Sequence, residues 1–395
     1  MTRIKFFGSW FAIIMFIKFF TFSIAQGTSI EKQVLETQLN QNGSAYEVNV
    51  GVDGVILVSD NYAGEIRIYQ PDGKFVRIIS GLGSVSDARA DASGKIWFVE
   101  QETNKIVRLD LVSLKSTSWG LGSDGSVFGT NIDNLGNIWV TKFNRSTVFR
   151  LTPGENNNGS LCEVDLSTAG YIGSDYIVDQ SGNLWLGGVS NQIVYVQPGE
   201  SDVDVMSFSP VDPKAWSFTV EGLIDDESGG LWFADTSLGR SLVHFVPTPS
   251  PQFCRYALPT EGGTPFMITL LNSEIWYSGF DSFLIGKLNP TQVSPINYLG
   301  SSNLYNNLPM ICNPVSGVET IISSESFTPQ WTQKTYPITE LSGWKITNLD
   351  NSSNPWGITS NDGSVWTVDN YNQVLIRFGE AFDNNSYIFL PLVIK

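Results

Sequence analysis

Carboxylates recur at one fixed position of a repeated hairpin, and apolar side chains replace them in the later copies. Seven residues before the turn of each copy stand Glu47, Asp87, Gly129, Asp175, Gly222, Phe266, Met310 and Trp356, with Glu221 beside Gly222. The acids fall in one run of copies and the aromatic or thioether residues in another, so a ring of copies would set an acidic arc against an apolar one. Converging carboxylates beside an aromatic wall suit a cation, or an amphipathic ligand with a polar end. Glu47, Asp87, Glu100 and Asp175 are the candidate ligands for Mg²⁺ or Ca²⁺. A second series, three residues after the Trp position, holds Asp60, Glu100, Lys142, Gly188, Asp235, Gly279, Ser323 and Asp369. Acids placed just after a strand commonly accept amide hydrogens from the next turn, and Asp60, Asp235 and Asp369 fit that structural role. No Ser-His-Asp set, metal-spaced Cys/His cluster or phosphate loop is present. The single histidine, His244, aligns with Arg67, Arg108, Arg150, Tyr195, Lys287 and Arg377 on a strand far from the acids, and is expected to point outward.

The element that must position these residues is the hairpin seen at Asp91-Ala-Ser-Gly-Lys-Ile-Trp-Phe-Val-Glu100. An Asx-Gly turn joins two strands of alternating polarity, which is the pattern of half-buried antiparallel strands. Its copies are marked by Leu57, Trp97, Trp139, Trp185, Trp232, Trp276, Thr320 and Trp366, 40 to 47 residues apart. A period of that size with four strand-like segments predicts an all-β fold, a β-propeller of four-stranded blades. Eight blades are counted, with seven plus an insertion as the alternative, because Gly317-Val-Glu-Thr320 lacks the Trp. Residues 32–39 alternate like an outer strand and are expected to close the last blade, so that the ring has no open seam.

Residues 1–25 read as a signal peptide: a basic start, an apolar run and Ser23-Ile24-Ala25 as the cleavage site. Residues 26–380 then form one propeller domain, and residues 381–395 an apolar tail, too short to span a membrane. The protein is expected to be secreted or displayed at the cell surface, as a monomer. Loss of Arg3, Lys5 and Lys18 with the leader deepens a formal charge that is already −16. Such an acidic surface disfavours nucleic acid and anionic membranes as partners. The repeat frame separates Cys162, Cys254 and Cys312, and all three are expected to be unpaired.

The recurring Asp-x-x-Gly-x-Ile/Leu-Trp-Phe/Val, with Asn-x-Ile-x-Arg after it and Pro-x-Gly-Ile ahead of it, resembles the streptogramin B lyase (virginiamycin B lyase) family over residues 32–380. That family is related in architecture to NHL-repeat and gluconolactonase-like propellers. The resemblance implies a propeller that opens a cyclic depsipeptide by elimination, with a histidine base in the Pro-x-Gly-Ile slot and carboxylates holding Mg²⁺. In this chain the slot holds Glu47, Asp87, Asp175, Phe266, Met310 or Trp356 and never histidine. Two functions stay open. One is a non-catalytic binding protein that holds a small molecule, peptide or saccharide on the rim formed by Glu47, Asp87, Asp175, Glu221, Phe266, Met310 and Trp356. The other is a metal-dependent lyase or hydrolase with Asp87 or Asp175 as base.

Overall fold

The computed structural model describes residues 31–379, apart from 40–42, 124, 143–144, 171–172, 189–190, 227, 281, 326–329 and 351–352. The expected leader and the tail from 381 lie outside the described residues. Each hairpin forms where its turn chemistry dictates. Asp91 accepts hydrogen bonds from the amides of Ser93 and Lys95, and Gly94 takes the φ of +79° that the turn requires. The same Asp takes the indole hydrogen of Trp97 at 2.8 Å, and Asp133 and Asp179 do likewise for Trp139 and Trp185. Turn and buried ring are thereby locked together.

Among the described residues the strands group into seven antiparallel four-stranded units around a channel. Units 1 to 5 span residues 45–80, 85–120, 127–165, 173–210 and 220–257. Unit 6 combines 264–288 with Trp344–Asn348, and unit 7 combines 355–378 with Glu31–Gln38. Glu31–Gln38 pairs with Val374–Phe378, so an N-terminal strand completes the last unit. The buried Trp of six units packs between neighbouring sheets. On its other face each Trp meets the third-strand residue opposite. Arg108 lies over Trp97, Arg150 over Trp139, Lys287 over Trp276 and Arg377 over Trp366, all within 6 Å, while His244 stacks on Trp232 at 4.7 Å.

The stretch read as a further blade around Thr320 is not one. Residues 296–341 run around the outside of the whole ring as a belt. Ile296–Ser316 pairs in turn with the outer strands of units 5, 4 and 3, Val318–Ile321 with unit 2, and Ser323–Glu325 with unit 1. Trp331–Leu341 then pairs with Glu31–Gln38 of unit 7 and Trp344–Asn348 of unit 6. The geometry permits this because a sheet twists by roughly 20–25° per strand, which leaves the outermost strand far from the channel direction and closer to the circumference. The belt also supplies apolar anchors to the core: Tyr298 on unit 5, Tyr305 on unit 4, Met310 between units 4 and 3, Val315 on unit 3, Ile322 on unit 2, Trp331 on the unit 7–1 side and Tyr336 between units 7 and 6.

This rerouting corrects two expectations. Met310 lies on the periphery, away from the channel. Cys312, placed by the repeat frame on an innermost strand, instead lies directly opposite Cys162 on the outer strand of unit 3, and the two form a disulfide. Only Cys254 is free among the described cysteines.

Candidate functional site

Every innermost strand carries a break in register at the position where the acids and aromatics alternate, for instance between Ser86 and Arg89 or between Glu221 and Ile224. Such a bulge turns a side chain away from the pleat, here toward the channel. Three of the bulged residues, Asp87, Gly129 and Gly222, have positive φ. The glycines serve the carboxylates of the preceding units. Asp87 Oδ2 accepts the Thr130 amide at 2.5 Å, just after Gly129, and Asp175 Oδ2 accepts the Leu223 amide at 2.9 Å, just after Gly222. A Cβ on Gly129 would lie 2.9 Å from the Tyr176 ring and 3.5 Å from Asp87 Oδ2. The sequence of Asp, Gly, Asp, Gly through units 2 to 5 therefore buckles neighbouring units together across the channel wall.

These residues enclose a cavity of about 280 Å³. Glu47, Asp87, Arg89 and Asp175 form its polar side, and Leu223, Met267, Ile268 and Ile358 its apolar side. Asp87 is buried and heavily engaged: Asn49 donates to Oδ1 at 2.8 Å and Arg89 Nε lies 3.1 Å from the same oxygen. Burial by itself would loosen the proton of the Arg89 guanidinium, but the Asp87 carboxylate outweighs it and holds the proton more tightly than usual. Asp175 takes the Tyr176 and Leu223 amides, yet burial pushes its carboxyl up to about 6. Among the described residues no donor bonds the Glu47 carboxyl. Burial, followed by repulsion from Asp87 and Asp175, holds it well above the usual carboxylate range against the opposing pull of Arg89.

Phe266 and Trp356 do not line the cavity. With Tyr46 and Phe280 they make an aromatic cluster, Trp356 standing 4.5 Å from Tyr46, 4.9 Å from Phe266 and 5.5 Å from Phe280 between ring centres. Tyr46 and Phe266 stand one residue, and Trp356 two, before a cavity-lining residue of the same strand, which sets the cluster toward the strand-start end of the channel. Glu221 reaches the same cluster electrostatically: burial first, then Glu47 and Glu221, raise the Tyr46 phenol. The indole nitrogen of Trp356 is buried without a hydrogen-bond partner among the described residues.

The metal set is not assembled. Glu100 accepts the Gly83 amide and the Thr103 hydroxyl at the far end of its strand, and it does not line the cavity. Among the described residues no group of three or more His, Cys, Asp or Glu side chains is placed to hold a metal ion. With Asp87 paired to Arg89 and Asp175 engaged by two amides, the donors do not fit Mg²⁺ or Ca²⁺. Asp60, Asp235 and Asp369 cap turns: Asp60 binds the Ser44 and Ala63 amides, Asp235 those of Thr219 and Ser237, and Asp369 those of Asn354 and Tyr371. His244 bonds Asp226 at 2.6 Å on the third strand of unit 5 and takes no part in the cavity. Sequence reasoning missed Arg89, Asn49 and Asn131. All three lie two residues beyond the aligned position, where the bulge carries a second side chain into the channel.

A ring of four-stranded units around a lined channel is the architecture of a β-propeller, here with a central cavity. No protein-family model matches the chain, and no curated protein matches it in sequence. The solved structures that share its fold include virginiamycin B lyase from Staphylococcus aureus, at 19% identity and a TM-score of 0.61, covering 89% of this chain and 100% of that one. A catalytically inactive variant of that enzyme with quinupristin aligns at 18% identity and a TM-score of 0.63, with the same coverage. A streptogramin B lyase structure aligns at 20% identity and 0.60, covering 88% of this chain and 97% of that one. Among the described residues no helix is long and apolar enough to cross a membrane.

Proposed function

We propose that this chain is an exported β-propeller that binds a small amphipathic ligand in its channel without transforming it. The observation that carries the reading is Glu47, a carboxyl with no donor among the described residues, lining a cavity whose apolar wall is Met267, Ile268 and Ile358. A ligand amine placed there would ionise Glu47 and satisfy it, while the ligand's apolar body covers the aliphatic wall. The Cys162–Cys312 disulfide supports an oxidising compartment and hence export. The test is a thermal-shift and calorimetric screen of small amphipathic amines. A hit should bind at least about tenfold more weakly to Glu47→Gln, a loss of roughly 1.4 kcal/mol. Hits indifferent to Glu47→Gln and Asp87→Ala, or no hits at all, would sink the reading.

One observation favours a second reading. A carboxyl titrating near 6 is suited to proton abstraction at neutral pH, and Asp175 is such a group. In that case the protein would be a lyase acting on a cyclic depsipeptide, with Asp175 in place of the absent histidine and Asp87 kept as the partner of Arg89. Incubation with quinupristin separates the two: ring opening by the wild type that is lost in Asp175→Asn establishes the lyase, and an intact ring excludes it.

A further inference from the structure

Among the described residues the outer edge of the belt is unpaired, and charges guard one half of it but not the other. Its second half carries Glu319, Glu325, Lys334 and Glu340, the charges that normally keep an edge strand from pairing with another chain. From 288 to 318 there is no charged residue at all, in a protein of formal charge −16. Within that stretch Ile296–Tyr305 also lacks proline and runs along units 5 and 4 up to a register shift beside Asn307, which has positive φ. Tyr298 and Tyr305 face inward, while Ile296, Leu299 and Leu304 are 50%, 67% and 60% exposed.

We infer that residues 296–305 are a self-association edge, and that two copies of this chain join there by antiparallel pairing about a two-fold axis. Two features select a second copy as the occupant. An antiparallel pair of identical strands is self-complementary, so one patch serves both partners and the assembly closes. Two strongly acidic molecules repel each other over most orientations, and the uncharged edge is where their surfaces can approach at least electrostatic cost. The product is a sheet continuous from the channel of one copy to that of the other, with Leu299 and Leu304 packing across the seam.

Sedimentation equilibrium of the purified full chain over a range of concentrations is the test. A dimer is expected, strengthened by added salt because screening weakens the acid repulsion. Leu304→Lys, which puts a charge where Leu304 packs diagonally against Leu299 of the other copy, should weaken dimerisation at least about tenfold. Ile311→Lys, equally exposed but beyond the paired stretch, should leave it unchanged. Hydrogen exchange should slow at residues 296–305 as the dimer forms, a readout independent of whether any variant folds. A monomer at every concentration would overturn the inference and leave the edge to a strand from another protein. A dimer insensitive to Leu304→Lys, or without protection at 296–305, would overturn it as well.

Discussion

His244 shows how position in the repeat decides the role of a residue. It occupies the place filled by Arg108, Arg150 and Arg377 in other units, stacked on the Trp of the second strand, and adds a bond to Asp226. Removing both contacts with His244→Ala should cost about 1–3 kcal/mol of unfolding free energy. His244→Arg should retain most of it, and denaturant titration of the two variants would separate a stacking role from any other. Asp175 makes a prediction of opposite character. Its carboxyl is raised in the folded state, so the native protein keeps a proton that the unfolded chain has lost. The stability associated with that proton is therefore present below about pH 4 and lost as pH rises to about 6. Asp175→Asn removes this dependence. Relative to the wild type it should gain on the order of 1–3 kcal/mol between pH 4 and pH 7, the lower figure applying because the group is partly exposed. A variant whose unfolding free energy keeps the wild-type slope across that window would contradict the assignment. Neither Mg²⁺ nor Ca²⁺ should shift the melting temperature, since Asp87 is paired with Arg89 and Asp175 is held by two amides.

At the scale of elements, the bulged inner strands and the belt do different work. The bulges project Asp87 and Asp175 sideways onto the amides of the next unit, so the channel wall is also the joint between blades. Gly129→Ala would place a methyl against Tyr176 in a backbone conformation that disfavours side chains, and should lower both stability and ligand affinity. The belt joins the blades from outside, and its covalent fastening is Cys162–Cys312, which closes a separation of 150 residues. Replacing both cysteines by serine should cost about 2–4 kcal/mol. Reduction of the wild type should bring its denaturation midpoint down to that of the variant, while the variant itself stays insensitive to reductant.

For the whole molecule, the belt changes how cooperative the ring should be. A propeller held together only by neighbouring blades can open at any seam, but here one segment anchors in the core of unit after unit. Trp331→Ala, at the seam between units 7 and 1, should therefore lower the melting temperature by several degrees and still leave a single calorimetric transition. Two resolved transitions would show that the belt does not couple the units.

The repeat was legible because its signals are local. An Asx-Gly turn, two-residue alternation and a Trp every 40 to 47 residues depend only on near neighbours, so blade architecture, strand polarity and the turn-capping role of Asp60, Asp235 and Asp369 could be read from the chain. The position of the bulges was legible too, as the place where copies stop agreeing. The identity of residues 296–341 was not, since an extended alternating segment has the same pattern whether it pairs inside a blade or around seven of them. That choice rests on the accumulated twist of the outer strands, a property of the assembled ring. The Cys162–Cys312 bond, the exile of Met310 and the separation of Phe266 and Trp356 from the acid-lined cavity all follow from it or from the bulge geometry. What the sequence determined by itself was which residues alternate; the tertiary structure alone decided which of them meet.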